Sequence, residues 1–211
     1  MFDVVLFDLD GTLTESGIGI TRSVAHSLRK FGIEEQDQAK LDRFVGPPLI
    51  DSYMRYYGFS REQAVLAVEY YREYYAVTGI FENRVYDGVE TMLQTLKDLG
   101  KVCVLATSKP EHYAVQILEH FNLSRHFSCV AGATMDEKRT NKADVIAYAL
   151  ERVGNTGKTV MVGDRHHDVE GAKAHGLPCI GVLYGYGSRE ELETAGADYL
   201  AETAEEILKF V

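Results

Sequence analysis

The chain opens on a short apolar run, Val4-Val5-Leu6-Phe7, that reaches Leu9 with one interruption at Asp8. β-Branched and aromatic residues packed this closely predict a buried parallel strand. Side chains alternate along a strand, so Asp8 and Asp10 are expected to point the same way at its carboxyl end. Two like charges placed there are unfavourable unless a cation or a shared proton offsets them. Gly11 permits a sharp turn and Thr12 adds a hydroxyl, so this strand end predicts a site for a hard divalent cation.

The pattern then becomes helical. Ile20, Val24, Leu28 and Phe31 share one face of a helix predicted over Ile18 to Phe31, with Gly32 as its stop. A second helix is expected over Glu35 to Phe44, broken by Gly46-Pro47-Pro48, and a third over Leu49 to Tyr57. Ser60 with Gln63 forms a capping box for a long helix ending near Gly79. Residues 15 to about 84 therefore read as a helical insert with no strand of its own. From Asp87-Gly88 onward helices and strands alternate. Helices are expected over Val89 to Leu99, Pro110 to Phe121, Lys142 to Val153 and Asp168 to His175. Strands are expected at Val102 to Ala106, Ser128 to Ala131, Thr159 to Val162, Pro178 to Leu183 and Asp198 to Leu200. A helix capped by Ser188 and Glu191 and a short terminal helix complete the series. This alternation predicts an α/β fold, a Rossmann-like doubly wound parallel sheet, with ligands bound beyond the carboxyl ends of its strands.

Composition narrows the reading. The 211 residues carry 22 Lys and Arg against 32 Asp and Glu, a formal charge of −10, so there is no basic surplus to neutralise a nucleic-acid polymer. No apolar run approaches the length of a membrane span, and the first residues resemble no cleavable leader, which makes the cytoplasm the expected location. Cys103, Cys129 and Cys179 lie in apolar runs and are expected as reduced core residues.

Several predicted strand ends carry polar groups. The first offers Asp8 and Asp10, the second Thr107-Ser108-Lys109, and the fourth Gly163-Asp164 with Asp168 four residues on. Lys142 stands at a helix start between the third and fourth. A sheet sets such ends side by side, so these acids, hydroxyls and lysines are predicted to converge. His166 and His167 suggest a metal, but adjacent side chains are expected to point apart, which makes them surface-loop residues. Tyr184-Gly185-Tyr186-Gly187 reads as a flexible wall of the crevice. Of the tyrosines in the insert, Tyr71 and Tyr75 share a face with Ala64, Ala67 and Val68 and are expected in its core, whereas Tyr53, Tyr56, Tyr57, Tyr70 and Tyr74 are candidates to line a pocket for an aromatic ring.

Asp-x-Asp-Gly-Thr at 8–12, Thr107-Ser108-Lys109-Pro110, Lys142 and Gly-Asp-x-x-x-Asp at 163–168, in that order and with a helical insert, resemble the haloacid dehalogenase superfamily. The likeness is to its phosphatases with a helical cap, of the phosphoglycolate-phosphatase-like and 5'-nucleotidase-like branch. It implies a core of residues 1–14 and 86–211 and a cap of residues 15–85 that closes over substrate. It also implies hydrolysis of small phosphate monoesters through an aspartyl-phosphate. Asp8 would be the nucleophile and Asp10 the acid and base. Mg2+ would be held by Asp8, the Asp10 carbonyl and Asp164. Thr107, Ser108 and Lys142 would bind the phosphoryl group, and Asp168 would orient Lys142 or the metal's waters. Lys138 and Lys109 are rivals for the role of Lys142, because no proline follows it. Arg43, Gly46, Pro47 and Lys109 are candidates for substrate selection. The implied partner is a small phosphorylated metabolite, with no nucleic acid and no membrane, acting on a monomer or homodimer. A phosphomutase with the same motifs is the alternative. A phospho-accepting signalling receiver is a more distant one, since receivers lack the insert.

Overall fold

The structure is a computed structural model that describes residues 1–135, 139–154 and 158–211. The chain forms two compact units, one of Met1–Thr14 with Val85–Val211 and one of Glu15–Arg84.

In the first unit, β1 (Val4–Phe7) leads to a turn in which the Leu13 and Thr14 N–H groups both donate to the Leu9 carbonyl, at 2.9 and 3.0 Å. The chain leaves the unit at β2 (Thr14–Glu15) and returns at β3 (Arg84–Val85). The strands β4 (Val102–Pro110), β5 (Cys129–Ala133), β6 (Thr159–Gly163), β7 (Cys179–Val182) and β8 (Tyr199–Ala201) then join β1 in a six-stranded sheet of order β5-β4-β1-β6-β7-β8. Every pairing is parallel. The chain moves outward from β1 to β4 and β5, then crosses back to β6 and moves out the other way. The reversal places the ligand crevice of such sheets at the carboxyl ends of β4, β1 and β6. Phe7 is level with Leu105 on one side and Val162 on the other, so Asp8, Thr107 and Asp164 all emerge at that edge.

Both faces of the sheet are covered, which is why its strands read as continuous apolar runs. On one face Val4 and Leu6 pack with Val145, Ile146 and Ala149 of α1 (Lys142–Val153), Val169 and Ala172 of α2 (His166–Ala174) and Leu192 of α3 (Arg189–Ala195). Val5 and Phe7 alternate to the other face and are 0% exposed. Helices α4 (Val89–Asp98) and α5 (Glu111–His120) pack against β4. Cys103, Cys129 and Cys179 are free thiols, and burial pushes Cys103 up to about 12.

The second unit contains α6 (Gly17–Lys30), α7 (Gln38–Asp42), α8 (Leu49–Tyr57), α9 (Arg61–Tyr75) and a 3-10 turn at Gly79–Phe81. Ser60 and Gln63 make both bonds of the capping box. Ala64 and Ala67 keep one face of α9 narrow, and the Ser27 hydroxyl of α6 donates to the Ala67 carbonyl at 2.7 Å. Of the tyrosines expected to line a pocket, Tyr53 is used in the core of the unit instead, and the other four are half-buried. Tyr53 is fully buried and stacks on Phe59 at 5.8 Å, with Phe44 at 4.9 Å. Tyr56 and Tyr57 also meet Phe44, Tyr70 meets Phe31, and the Tyr74 hydroxyl donates to Glu82. Leu41 of α7 and Phe44 and Val45 just after it are buried, and Phe44 anchors the aromatic packing of this part of the unit.

Candidate active site

β1 ends at Phe7, and the turn that follows sends Asp8 and Asp10 to different cations. The backbone bonds to the Leu9 carbonyl end the regular strand there. Lys142 Nζ lies 2.8 Å from Asp8 Oδ1, 2.8 Å from Asp168 Oδ1 and donates to the Ala106 carbonyl at 3.0 Å. Its position follows from the start of α1, where the Asn141 side chain accepts from the Asp144 N–H at 2.9 Å and fixes the first turn. Lys109 Nζ donates to Asp10 Oδ2 at 2.6 Å. Asp10 Oδ1 is buried and has no hydrogen-bond partner among the described residues.

Asp164 and Asp168 are 0% and 1% exposed. Carboxylate oxygens of Asp8, Asp164 and Asp168 lie within 4.8 Å of one another. Burial pushes Asp164 well above the usual carboxylate range, and the charges of Asp168 and Asp8 add to it against the opposing Tyr186 N–H. Burial likewise raises Asp168, with Lys142 only partly countering. Burial alone would lower Lys142, but Asp168 and Asp8 outweigh it and raise the ammonium above the usual lysine value. One lysine thus serves two of three buried acids, and the all-oxygen donor set fits a hard divalent cation at Asp8 and Asp164.

The loop after β7 holds this arrangement in a way the sequence reading missed. The Tyr186 N–H donates to Asp164 Oδ2 at 2.8 Å, and the Tyr184 hydroxyl donates to the Thr12 carbonyl at 2.9 Å. A Cβ at Gly185 would lie 2.3 Å from the Gly11 oxygen and 2.4 Å from Asp164 Cβ, so only glycine fits there. Gly11 has φ +86, and a Cβ on it would lie 2.2 Å from Asp164 Oδ2. The loop read as a wall is therefore the mould of Asp164. Glycine alternating with tyrosine just past a strand end was its visible signal.

Thr107 is buried, and its Oγ1 accepts from the Lys109 N–H at 3.2 Å, while Ser108 is half-buried. Arg43, Gly46 and Pro47 belong to the second unit, between α7 and α8, where the Arg43 guanidinium stands 5.6 Å from the Tyr56 ring centre. Lys138 lies outside the described residues. His166 and His167 do not point apart. They begin α2, and their ring centres are 3.8 Å apart. The helix starts two residues earlier than expected because carboxylates satisfy its first N–H groups. Asp168 Oδ2 accepts from the Arg165 N–H at 3.1 Å, and Glu191 Oε1 accepts from the His166 N–H at 3.0 Å.

Residues 5–182 match the model of the haloacid dehalogenase-like hydrolases, and the chain belongs to that family. A 5'-nucleotidase of Pseudomonas aeruginosa is 47% identical over 189 residues, covering 89% of this chain and 86% of the relative. The tyrosine-protein kinase PtkA of Mycobacterium tuberculosis is 38% identical over 203 residues, covering 95% of this chain and 69% of the relative. The crystal structure of a predicted phosphatase from Clostridium acetobutylicum superposes with a TM-score of 0.95 at 50% identity, covering 100% of this chain and 98% of the other. The fold, the site and these relatives define a phosphatase of this family. Among the described residues no helix is long and apolar enough to cross a membrane.

Proposed function

We propose that this phosphatase is Mg2+-dependent, acts on small phosphate monoesters through an aspartyl-phosphate on Asp8, and takes nucleoside 5'-monophosphates as its preferred substrates. The observation that carries the reading is the Lys142 ammonium bridging Asp8 and Asp168, 2.8 Å from each, beside the fully buried Asp164. A group of three carboxylates with one ammonium would repel an anionic phosphate. Asp8, the Asp10 carbonyl and Asp164 would hold Mg2+, which would supply the positive charge that offsets this barrier.

Asp8 attacks phosphorus, its new O–P bond forming as the bond from phosphorus to the leaving oxygen breaks. Asp10 gives that oxygen a proton, a role supported by its Oδ1, which has no hydrogen-bond partner among the described residues. Lys109 fixes the orientation of Asp10 through its other oxygen. In the second half, Asp10 takes a proton from water, the water oxygen bonds to phosphorus, and the Asp8 O–P bond breaks to release phosphate. Lys142 and Thr107, with backbone N–H groups near it, hold the charge of the transferring group. Asp168 keeps Lys142 in place. The substrate class rests on the 47% identical relative named as a 5'-nucleotidase. No nucleic acid polymer, membrane or second protein enters this chemistry.

A panel of phosphorylated metabolites, read by released phosphate, tests the reading. Nucleoside 5'-monophosphates are expected to outrun phosphoglycolate and pyrophosphate. A clear preference for phosphoglycolate would overturn the substrate class. An isomerised sugar phosphate with no free phosphate would make the protein a mutase, and a phosphorylated tyrosine peptide formed from ATP would make it a kinase.

A further inference from the structure

We propose that His166, His167 and Glu170 form a second cation site, separate from the acidic one, for a borderline transition-metal ion of the Zn2+ class. Each side chain offers a ligand atom, and the three atoms lie within 4.8 Å of one another. Helical spacing produces this. His166 and Glu170 are four apart on α2 and His167 and Glu170 three apart, so both histidines share a face with the carboxylate. The imidazole of His167 folds back on that of His166, their ring centres 3.8 Å apart.

His166 is also braced from outside the helix. Its Nδ1 lies 2.7 Å from Glu191 Oε1, which leaves Nε2 as its donor to an ion. A carboxylate on the far nitrogen is the usual partner of a metal-bound histidine, since it fixes the tautomer and raises basicity. Arg165 Nε holds the same Glu191 oxygen at 2.8 Å. Two imidazoles and one carboxylate select Zn2+, Co2+ or Ni2+ over Mg2+, which favours oxygen donors, and three protein ligands leave a position for water. The positive end of the helix and Arg165 oppose a cation here, while Glu170 and Glu191 supply the opposing negative charge. The site differs from the acidic one in donor set and shares no residue with it.

The test titrates the full-length protein with Zn2+ against a chromogenic chelator in excess Mg2+, and with Co2+ by visible absorption. One equivalent of Zn2+ that Mg2+ does not displace, with a Co2+ absorption band, is expected. Glu191→Gln should weaken Zn2+ about 10-fold, and His167→Gln and Glu170→Gln by at least as much. Asp164→Asn should leave Zn2+ affinity unchanged. Glu170 is exposed, so its variant retains the fold, which circular dichroism verifies. Zn2+ that Mg2+ displaces, or that Asp164→Asn abolishes, or that binds His167→Gln and Glu170→Gln as tightly as the wild type, overturns the proposal, as does the absence of stoichiometric binding.

Discussion

Replacing Lys142 with methionine keeps most of the side-chain volume and deletes the charge. Lys142 is 4% exposed at its side chain, with Asp8 Oδ1 and Asp168 Oδ1 each 2.8 Å away. Loss of the shared cation from two buried carboxylates costs about 3–5 kcal/mol of stability at neutral pH. The cost depends on pH, and the direction follows from the acids. Burial raises Asp168 and, more strongly, Asp164, so the folded state holds protons more firmly than the unfolded state. Stability then rises as pH falls, and the variant should recover part of its deficit between pH 8 and pH 5. The lysine's own raised value keeps its contribution present throughout this range. For turnover, removing one preorganised charge from the proposed phosphoryl site should lower kcat about 100–1,000-fold, or ~2.7–4 kcal/mol. Urea unfolding in EDTA at pH 5 and pH 8, with phosphate release in Mg2+, measures both. Lys138→Ala, assayed in parallel, should retain most of the activity. A Lys142→Met enzyme within about threefold of wild type in kcat, a difference under ~0.7 kcal/mol, would refute the reasoning.

Chelation should silence the enzyme, and Mg2+ should restore it more fully than Ca2+, whose longer and looser coordination suits in-line attack poorly; equal recovery with Ca2+ would count against the proposed ion. Gly185→Ala pushes a methyl group against the Gly11 oxygen and Asp164 Cβ. Its apparent Mg2+ affinity, from activity titrations, should fall about 10-fold with the fold retained. Glu191 is held at about 2, because hydrogen bonds from the His166 N–H and ring and from Arg165 overcome the upward push of burial. Glu191→Gln should therefore cost about 1–2 kcal/mol at pH 7, allowing for solvent screening, and the gap to wild type should close as pH falls through the ordinary glutamate value towards 2. Thermal unfolding across that range measures it.

The core was legible in the sequence because buried parallel strands are written as apolar runs with polar ends. Val4 to Phe7 and Thr159 to Gly163 are such runs, and the residues just beyond them meet at one edge of the sheet. Lys142 was legible because a helix starts there beside a strand end. What stayed hidden depends on contacts between residues far apart in the chain. The Tyr186 N–H on Asp164 is a backbone group, with no residue type to announce it. The pairing of Lys109 with Asp10 needs the geometry of β4, whose register shifts between Thr107 and Pro110 and carries the strand past its expected end at Ala106. The start of α2 was misplaced because Glu191, 25 residues away, supplies part of its cap. Tyr53 was misread because composition cannot distinguish a ring that lines a pocket from one that fills a core, whereas Tyr71 and Tyr75 lie in the core as their helical face predicts.

Rapid quenching of wild-type enzyme during turnover, followed by borohydride reduction and peptide sequencing, tests the phosphoryl-acceptor role of Asp8 most directly. Reduction converts an acyl phosphate to the alcohol, so homoserine is predicted at position 8 and nowhere else. Steady phosphate release with aspartate intact at position 8 at every quench time, or homoserine at another position, would contradict the account.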